Sequence, residues 1–380
     1  MRSLITPRTG VAAAFALNGV LLGTWASRVP TYVSSLDLSE STLGLMLFCM
    51  GIGALISFPV AGRMADRHGA VRVTRLLAIV YLAATLLVGF SASPVMLGVA
   101  LFAFGIGHGA MDVTMNSWAT EVERQHGRSI MSSFHAMWSL GAGLGAAGGF
   151  VATSSGAATP VHFTAVVVLT GLIAAPFLNV PWQSRIHMSD KKAPVFAWPK
   201  GALVLVGLMA MAAGIGEGAA VDWSAVYLRD VIAVSEAQAT LAYTAFSITM
   251  VIMRLNVDRI IDRFGPMSVA RVAGVLATAG YLTAALAPTL WVVVAGFVLV
   301  GMGYAAVVPM AFSRAANDPD MAAGQAIASV ATLGYGAMLL GPPAIGFLAH
   351  ATSLRFSFAL VAAAALLITI FARAMRPPPG

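Results

Sequence analysis

GRMADRHGAVRVTR occupies residues 62–75, and a weaker copy of its pattern, NVDRIIDRFG, returns at 256–265. An offset of 196 residues takes Asp66 to Asp262, and the same offset carries GIGHGA at 105–110 onto GMGYAA at 301–306. Offsets longer by only one or two residues pair TWAS (24–27) with DWSA (222–225) and GFVA (149–152) with GFLA (346–349). Self-similarity at one interval along a chain marks a duplicated architecture. The sequence therefore reads as two halves on one plan, residues 1–183 and 200–380, joined by a polar, basic, Pro-containing linker at 184–199, SRIHMSDKKAPVFAWP.

Composition says what the halves are made of. Of 380 residues, 59% are hydrophobic and only 10% charged, against roughly 25% charged in a soluble domain. Apolar runs of about 20 residues, enough to cross a hydrocarbon core of about 30 Å as a helix, recur throughout. Twelve are expected, near residues 9–32, 40–61, 70–91, 94–119, 129–153 and 160–182 in the first half, and 200–227, 235–256, 267–287, 289–313, 321–349 and 353–375 in the second. Helices fit these unbroken runs, whereas the strands of a membrane barrel would alternate polar and apolar residues. The net charge of +7 is topological: with the N-terminus inside, Arg2, Arg8, Arg63, Arg67, Arg72, Arg75, Arg124, Arg128, Arg185, Lys191, Lys192, Lys200, Arg259, Arg263, Arg271, Arg314, Arg373 and Arg376 fall on the inner side. Only Arg28, Arg229 and Arg355 fall outside, and Arg254 reads as an inner helix end. Both termini are thus expected in the cytoplasm, and nucleic acid is not expected as a partner. The first apolar run is too long for the core of a cleavable signal peptide, and the single Cys49 rules out an internal disulfide.

The segment GRMADRHGAVRVTR, its second copy and the six-plus-six plan resemble the major facilitator superfamily across essentially the whole chain. That resemblance implies two parallel six-helix repeats, an all-α membrane protein of twelve transmembrane helices, with the cavity between them opening alternately to each side. It also implies gating roles for Gly62, Asp66, Arg67 and Gly69 and, in the second copy, Asp262 and Arg263, although Asp258 stands where the first copy has Gly62. Asp66 is suited to accept hydrogen bonds at a neighbouring helix N-terminus, where the macrodipole favours an anion. Within the superfamily, MDVTMNSW (111–118) followed by SFHAMWSLGAGLG (133–145) resembles the fucose–proton symporter branch and its polyol- and rhizopine-transporting relatives. The acid and Asn of that branch, four apart on span 4, fall on Asp112 and Asn116. The branch's acid on span 1 has no counterpart in WASRVPTY (25–32), which offers Arg28 and Thr31.

The residues point the same way without the resemblance. His108, Asp112 and Asn116 recur every four positions and stack on one helix face. Asp112 lies about 18 residues, or roughly 27 Å, from the outer start of its span. A charge at that depth costs at least about 2.5–3.5 kcal/mol, so it calls for a partner, a watery cavity or a proton. The equivalent positions in the second half are Val308 and Phe312, so the scaffold itself does not demand an acid there. Asp112 is the first candidate for proton coupling, Glu217 in AGIGEGAAVDW (213–223) the second, and His108 a relay. Three glycines around Glu217, at 214, 216 and 218, suggest a bend or an unwound segment lining a cavity. Asn18, Asn116 and His135 suit a hydroxylated ligand, while Trp25, Trp138, Trp223, Tyr243 and Tyr335 offer rings to stack on it or, for Trp25 and Trp223, to anchor at the interface. Arg28 is expected to snorkel to the outer surface. GLGAAG at 143–148 matches a dinucleotide fingerprint only in letters, since it lies in an apolar helix with no preceding strand; its glycines suit close helix approach.

The function expected is secondary active transport of a small polar solute (a sugar, cyclitol or similar polyol) across a bacterial cytoplasmic membrane, coupled to protons. Proton-driven export of an amphiphile or drug is the alternative. There is no Walker A sequence, no H-E-x-x-H and no G-x-S-x-G elbow, so neither ATP nor an enzymatic reaction is expected. No cofactor beyond the proton gradient and no metal site is anticipated, and the partners foreseen are the solute and the lipid bilayer around a monomer.

Overall fold

The computed structural model describes residues 5–38, 40–184, 186, 198–239 and 241–377. Most of the expected linker, with Arg185, Lys191 and Lys192, lies outside the described residues, as does Arg2. The helices are α1 (Pro7–Ser35), α2 (Glu40–His68), α3 (Ala70–Gly89), α4 (Pro94–His126), α5 (Met131–Ser154), α6 (Thr159–Leu178) and α7 (Ala202–Asp230). They continue with α8 (Glu236–Ala239), α9 (Leu241–Phe264), α10 (Pro266–Leu286), α11 (Leu290–Tyr304), α12 (Val307–Ala316), α13 (Ala323–Ala351) and α14 (Leu354–Ile370). A 3-10 turn, Ala372–Met375, follows, and no strand occurs among the described residues. The chain forms two compact units. One comprises Met1–Gly127, Phe134–Ala197 and Met321–Ala328; the other comprises Arg128–Ser133, Trp198–Asp320 and Ser329–Gly380.

Among the described residues, nine helical stretches are long and apolar enough to span a membrane. The other crossings are α5, α9 and α14, each with a reason to fall short. The polar start of α5 is MSSFH, α9 carries Arg254, Asp258, Arg259, Asp262 and Arg263, and α14 has 17 residues. The tenth crossing is broken between α11 and α12 at Ala305 and Ala306. Pro309 accounts for the break: it has no N–H for the Ala305 carbonyl four residues back, and its ring crowds that carbonyl.

The repeated segment at 62–75 is mostly helix. The second helix runs on to His68 and the third begins at Ala70, leaving Gly69 alone at the corner with φ 87°. The repeat does the same at Gly265, φ 76°, between α9 and α10. Both corners sit where an L side chain is strained, which is why Gly stands at the corner in each copy of the motif.

In the first unit α1 and α5 interlock through glycines four apart. A Cβ at Gly19 or Gly23 would overlap the backbone of Trp138 or Ala142, and one at Gly141 or Gly145 would overlap the carbonyl of Ala16 or Val20. Gly143, the first glycine of GLGAAG, has nothing within 4 Å of a Cβ. This contrast gives a prediction. Gly23→Ala overpacks the contact and should lower stability by about 1–3 kcal/mol. Gly143→Ala, replacing a poor helix former at an open position, should leave the melting temperature unchanged or higher. Thermal unfolding of the purified variants decides; equal behaviour of the two would discount the interlock.

Candidate functional site

In the first unit, α4 carries a buried polar group at the level expected from its four-residue spacing. The Asp112 side chain is 3% exposed and Asn116 fully buried. Asn116 Nδ2 donates to the Asp112 carbonyl (2.9 Å) and to Asp112 Oδ1 (3.3 Å). A carbonyl only accepts, so the amide NH2 must face Asp112, and Oδ1 is left facing His135 Nε2 at 3.2 Å. Since Oδ1 also only accepts, His135 carries its proton on Nε2. The imidazole on α5 thereby fixes the amide that orients the carboxylate.

A second link adds α1 to the same two helices. Trp138 Nε1 donates to Asn18 Oδ1 (2.9 Å), and Asn18 Nδ2 donates to the His108 carbonyl (3.3 Å). The structure thus brings Asn18, Asp112, Asn116, His135 and Trp138 into linked pairs on α1, α4 and α5. The His108 ring turns elsewhere: its Nδ1 meets the Tyr81 hydroxyl of α3 at 3.3 Å. Its contribution to this group is its backbone carbonyl.

In the second unit, α7 is an unbroken helix through 213–223, so the expected unwinding does not occur. Its glycines serve close approach. Tyr281 donates its hydroxyl to the Gly216 carbonyl (2.5 Å), and the Tyr304 hydroxyl occupies the place a Gly216 Cβ would take. Glu217 pairs with Arg254 of α9, Oε2 to Nη2 3.7 Å, with side chains 20% and 7% exposed respectively. Glu217 Oε1 and the Tyr304 hydroxyl are buried without a hydrogen-bond partner. Arg254, read from the sequence as an inner helix end, is instead the counter-charge of a membrane acid. The signal for it was present: an Arg inside the apolar run AFSITMVIMRL requires an opposite charge.

The two sequence motifs end in matching helix caps. Asp66 accepts from Gly324 N (2.8 Å) and Gln325 N (3.0 Å), the second and third residues of α13, within the first unit. Within the second unit, Asp258 accepts from Ser132 N (2.9 Å) and Ser133 N (2.7 Å), the second and third residues of α5. Each carboxylate satisfies two of the amides that a helix start leaves unpaired. The residue that reproduces the bonding of Asp66 is therefore Asp258, one turn before its sequence counterpart. Asp262 takes Ser129 N (2.9 Å) and pairs with Arg128 at 3.5 Å. Burial acts to raise its carboxyl, but that amide and the guanidinium hold it below the usual carboxylate range.

A family model described as the Major Facilitator Superfamily matches residues 11–335 and 203–380. The chain belongs to that superfamily. As a facilitator it is a transport protein and not an enzyme, and a multi-pass membrane protein. It is 51% identical over 376 residues, 99% of this chain and 100% of the relative, to the uncharacterized transporter y4wD of Sinorhizobium fredii. Among solved structures it superimposes on the human organic anion transporter MFSD10 with a TM-score of 0.78, at 15% identity over 96% of this chain and 98% of that one. The E. coli fucose:proton symporter FucP gives 0.76 at 16% identity over 99% and 100%. At such identities these two likenesses speak for the fold alone.

The remaining candidate residues of this facilitator are scattered. Trp25, 2% exposed, packs its ring 5.7 Å from that of Tyr32, so it is neither an interface anchor nor beside Asn18's polar group. Trp223 is half-buried against Gly346. Tyr243 is 41% exposed beside Phe246. Tyr335 is half-buried, within electrostatic reach of Arg254. Of the motif residues, Gly62 packs against the Gly324 carbonyl, Arg67 is half-buried, and Arg263 lies over the Phe264 ring at 5.2 Å. Arg28 does not snorkel: it is 2% exposed and turned toward Thr153 and Ala157.

Proposed function

We propose that this transporter moves a small polar solute, a sugar, cyclitol or similar polyol, by alternating access, with both termini in the cytoplasm, and that protons drive it through Asp112 with Glu217 as a second titrating site. The observation that carries the reading is the buried Asp112 carboxylate that accepts from Asn116, whose own amide oxygen is met by His135, with Asp112 and Asn116 at positions where the other repeat has Val308 and Phe312. An acid so oriented can be neutral when protonated and is still hydrogen-bonded when charged, which is what a site that alternates between the two needs. The donors and acceptors of Asn18, Asn116 and His135, with the Trp138 ring one helical turn from His135, suit a hydroxylated ring. FucP, named as a fucose:proton symporter, makes such a solute reasonable on this fold.

A thermal-shift screen of the purified protein against sugars, cyclitols and amphiphiles tests the substrate class. A response confined to hydrophobic cations would replace the polyol reading with amphiphile export. With a solute in hand, Asn116→Ala, His135→Ala and Trp138→Ala should each weaken binding. A hydrogen bond left unmade in a buried site costs about 1–3 kcal/mol, or roughly 5- to 150-fold in affinity. Normal binding by all three variants would place the solute elsewhere.

The helix caps serve as latches in this proposal. Asp66→Asn replaces a carboxylate that bonds two amides by a neutral group with one acceptor oxygen, and hydrogen bonds to a charged group contribute about 1.5–3 kcal/mol each. The start of α13 should then open more often and slow the transport cycle, with solute binding retained. In a Cys49→Ser background, a cysteine at position 323 should be alkylated faster when Asp66 is Asn. An unchanged rate would deny the latch.

A further inference from the structure

Where α1, α5 and α6 meet in the first unit, a buried cation lies among neutral partners. Arg28 donates Nη1 to Thr153 Oγ1 and Nη2 to the Ala157 carbonyl, both at 2.8 Å, and its Nε has no hydrogen-bond partner. Among the described residues no carboxylate forms an ion pair with it. His162, 6% exposed, is within electrostatic reach of Arg28, and neither of its ring nitrogens has a hydrogen-bond partner. Tyr32, a titratable group that also senses Arg28, donates its hydroxyl to the Val88 carbonyl at 2.6 Å.

The imidazole lies along a strip of α5 that has no side chains. A Cβ at Gly148 would meet only His162 Nε2, at 3.9 Å; over Gly149 the Ser27 side chain of α1, whose hydroxyl donates to the Thr24 carbonyl, fills the place a Cβ would take, with His162 Cε1 3.7 Å from it. Thr153, one turn beyond Gly149, holds the guanidinium and gives its own hydroxyl proton to the Gly149 carbonyl. What remains unused is the Nε–H of Arg28 and the N–H of His162, beside one uncompensated positive charge.

A buried cation without a counter-charge is costly, and unpaired buried donors add to that cost. We propose that Arg28 and His162 bind a small monovalent anion, a halide or the carboxylate of a small acid. The anion neutralises the guanidinium and accepts from both free donors, in the charge-assisted bonds that favour such a site. The proposal stands apart from the solute reading, since it uses none of the Asp112 group.

The test uses the full-length protein in lipid nanodiscs at constant ionic strength, with sodium methanesulfonate, a bulkier anion, replaced stepwise by chloride or by acetate. The melting temperature should rise saturably with either anion. Chloride acting alone identifies a halide site, and acetate acting at equal or lower concentration identifies a carboxylate site. His162→Ala removes no existing hydrogen bond and should fold, with the half-saturating concentration raised at least about tenfold, equivalent to 1.4 kcal/mol. Arg28→Gln should abolish the response if it folds. Equal melting temperatures in all three salts, or a His162→Ala response identical to the parent's, would overturn the proposal.

Discussion

Asp112→Asn is expected to abolish proton-driven accumulation of the solute while leaving its exchange across the membrane close to the parent rate. The amide has nearly the shape of a protonated acid, and it can still meet Asn116, which in the parent donates to Asp112 Oδ1 at 3.3 Å. It cannot release a proton. With one proton per solute and a pH difference of one unit, the parent can build a gradient of about tenfold, since one pH unit is 1.36 kcal/mol. The variant should stop at equal concentrations inside and out. Counterflow in proteoliposomes measures exchange, and uptake with and without an imposed pH difference measures coupling. Accumulation by Asp112→Asn with the parent's pH dependence would make Asp112 a structural acid and move the coupling to Glu217.

Glu217→Gln should have the largest effect on stability. In the parent the carboxylate faces Arg254, whose side chain is 7% exposed. Removing the acid keeps a buried guanidinium but takes away its carboxylate partner, a change that costs about 3–5 kcal/mol in comparable buried pairs. Replacing the whole pair is a different matter, because well-packed apolar groups of similar volume are often no worse than a buried ion pair. The double variant Glu217→Gln, Arg254→Met should therefore recover most of the lost melting temperature while transport stays impaired. A single variant as stable as the parent, or a double variant less stable than the single, would show that the two charges do not depend on each other.

The fold was legible because its signals are local. Twelve apolar runs, a 196-residue offset and an Asp-Arg-x-Gly corner can all be counted along the chain. Half of the α4 site was legible too, since helical geometry alone puts Asp112 and Asn116 one turn apart. Side-chain direction was harder to read. His108 shares that spacing, yet its ring goes to Tyr81, because a neighbouring helix offered a hydroxyl. Arg28 looked like a surface residue from its place near a helix end, and Trp25 like a ring for the ligand or an interface anchor, yet both are buried by α1's packing. The glycines before Glu217 suggested a bend, but Gly214 admits the Gly334 carbonyl and Gly216 the Tyr304 hydroxyl, a partner 88 positions away in sequence.

By itself, then, the sequence determined the class of molecule, its duplication and the presence of two acids where hydrocarbon makes a charge expensive. Only the tertiary structure decided which groups answer those charges. Asp66 reaches amides 258 and 259 residues on, Asp258 reaches amides 126 and 125 residues back, and Glu217 finds Arg254 on a different helix. Periodicity reports how a residue faces its own helix. The partner it meets depends on how helices distant in sequence pack, and that is set by the close contacts of many small residues together, which no single stretch of the chain records.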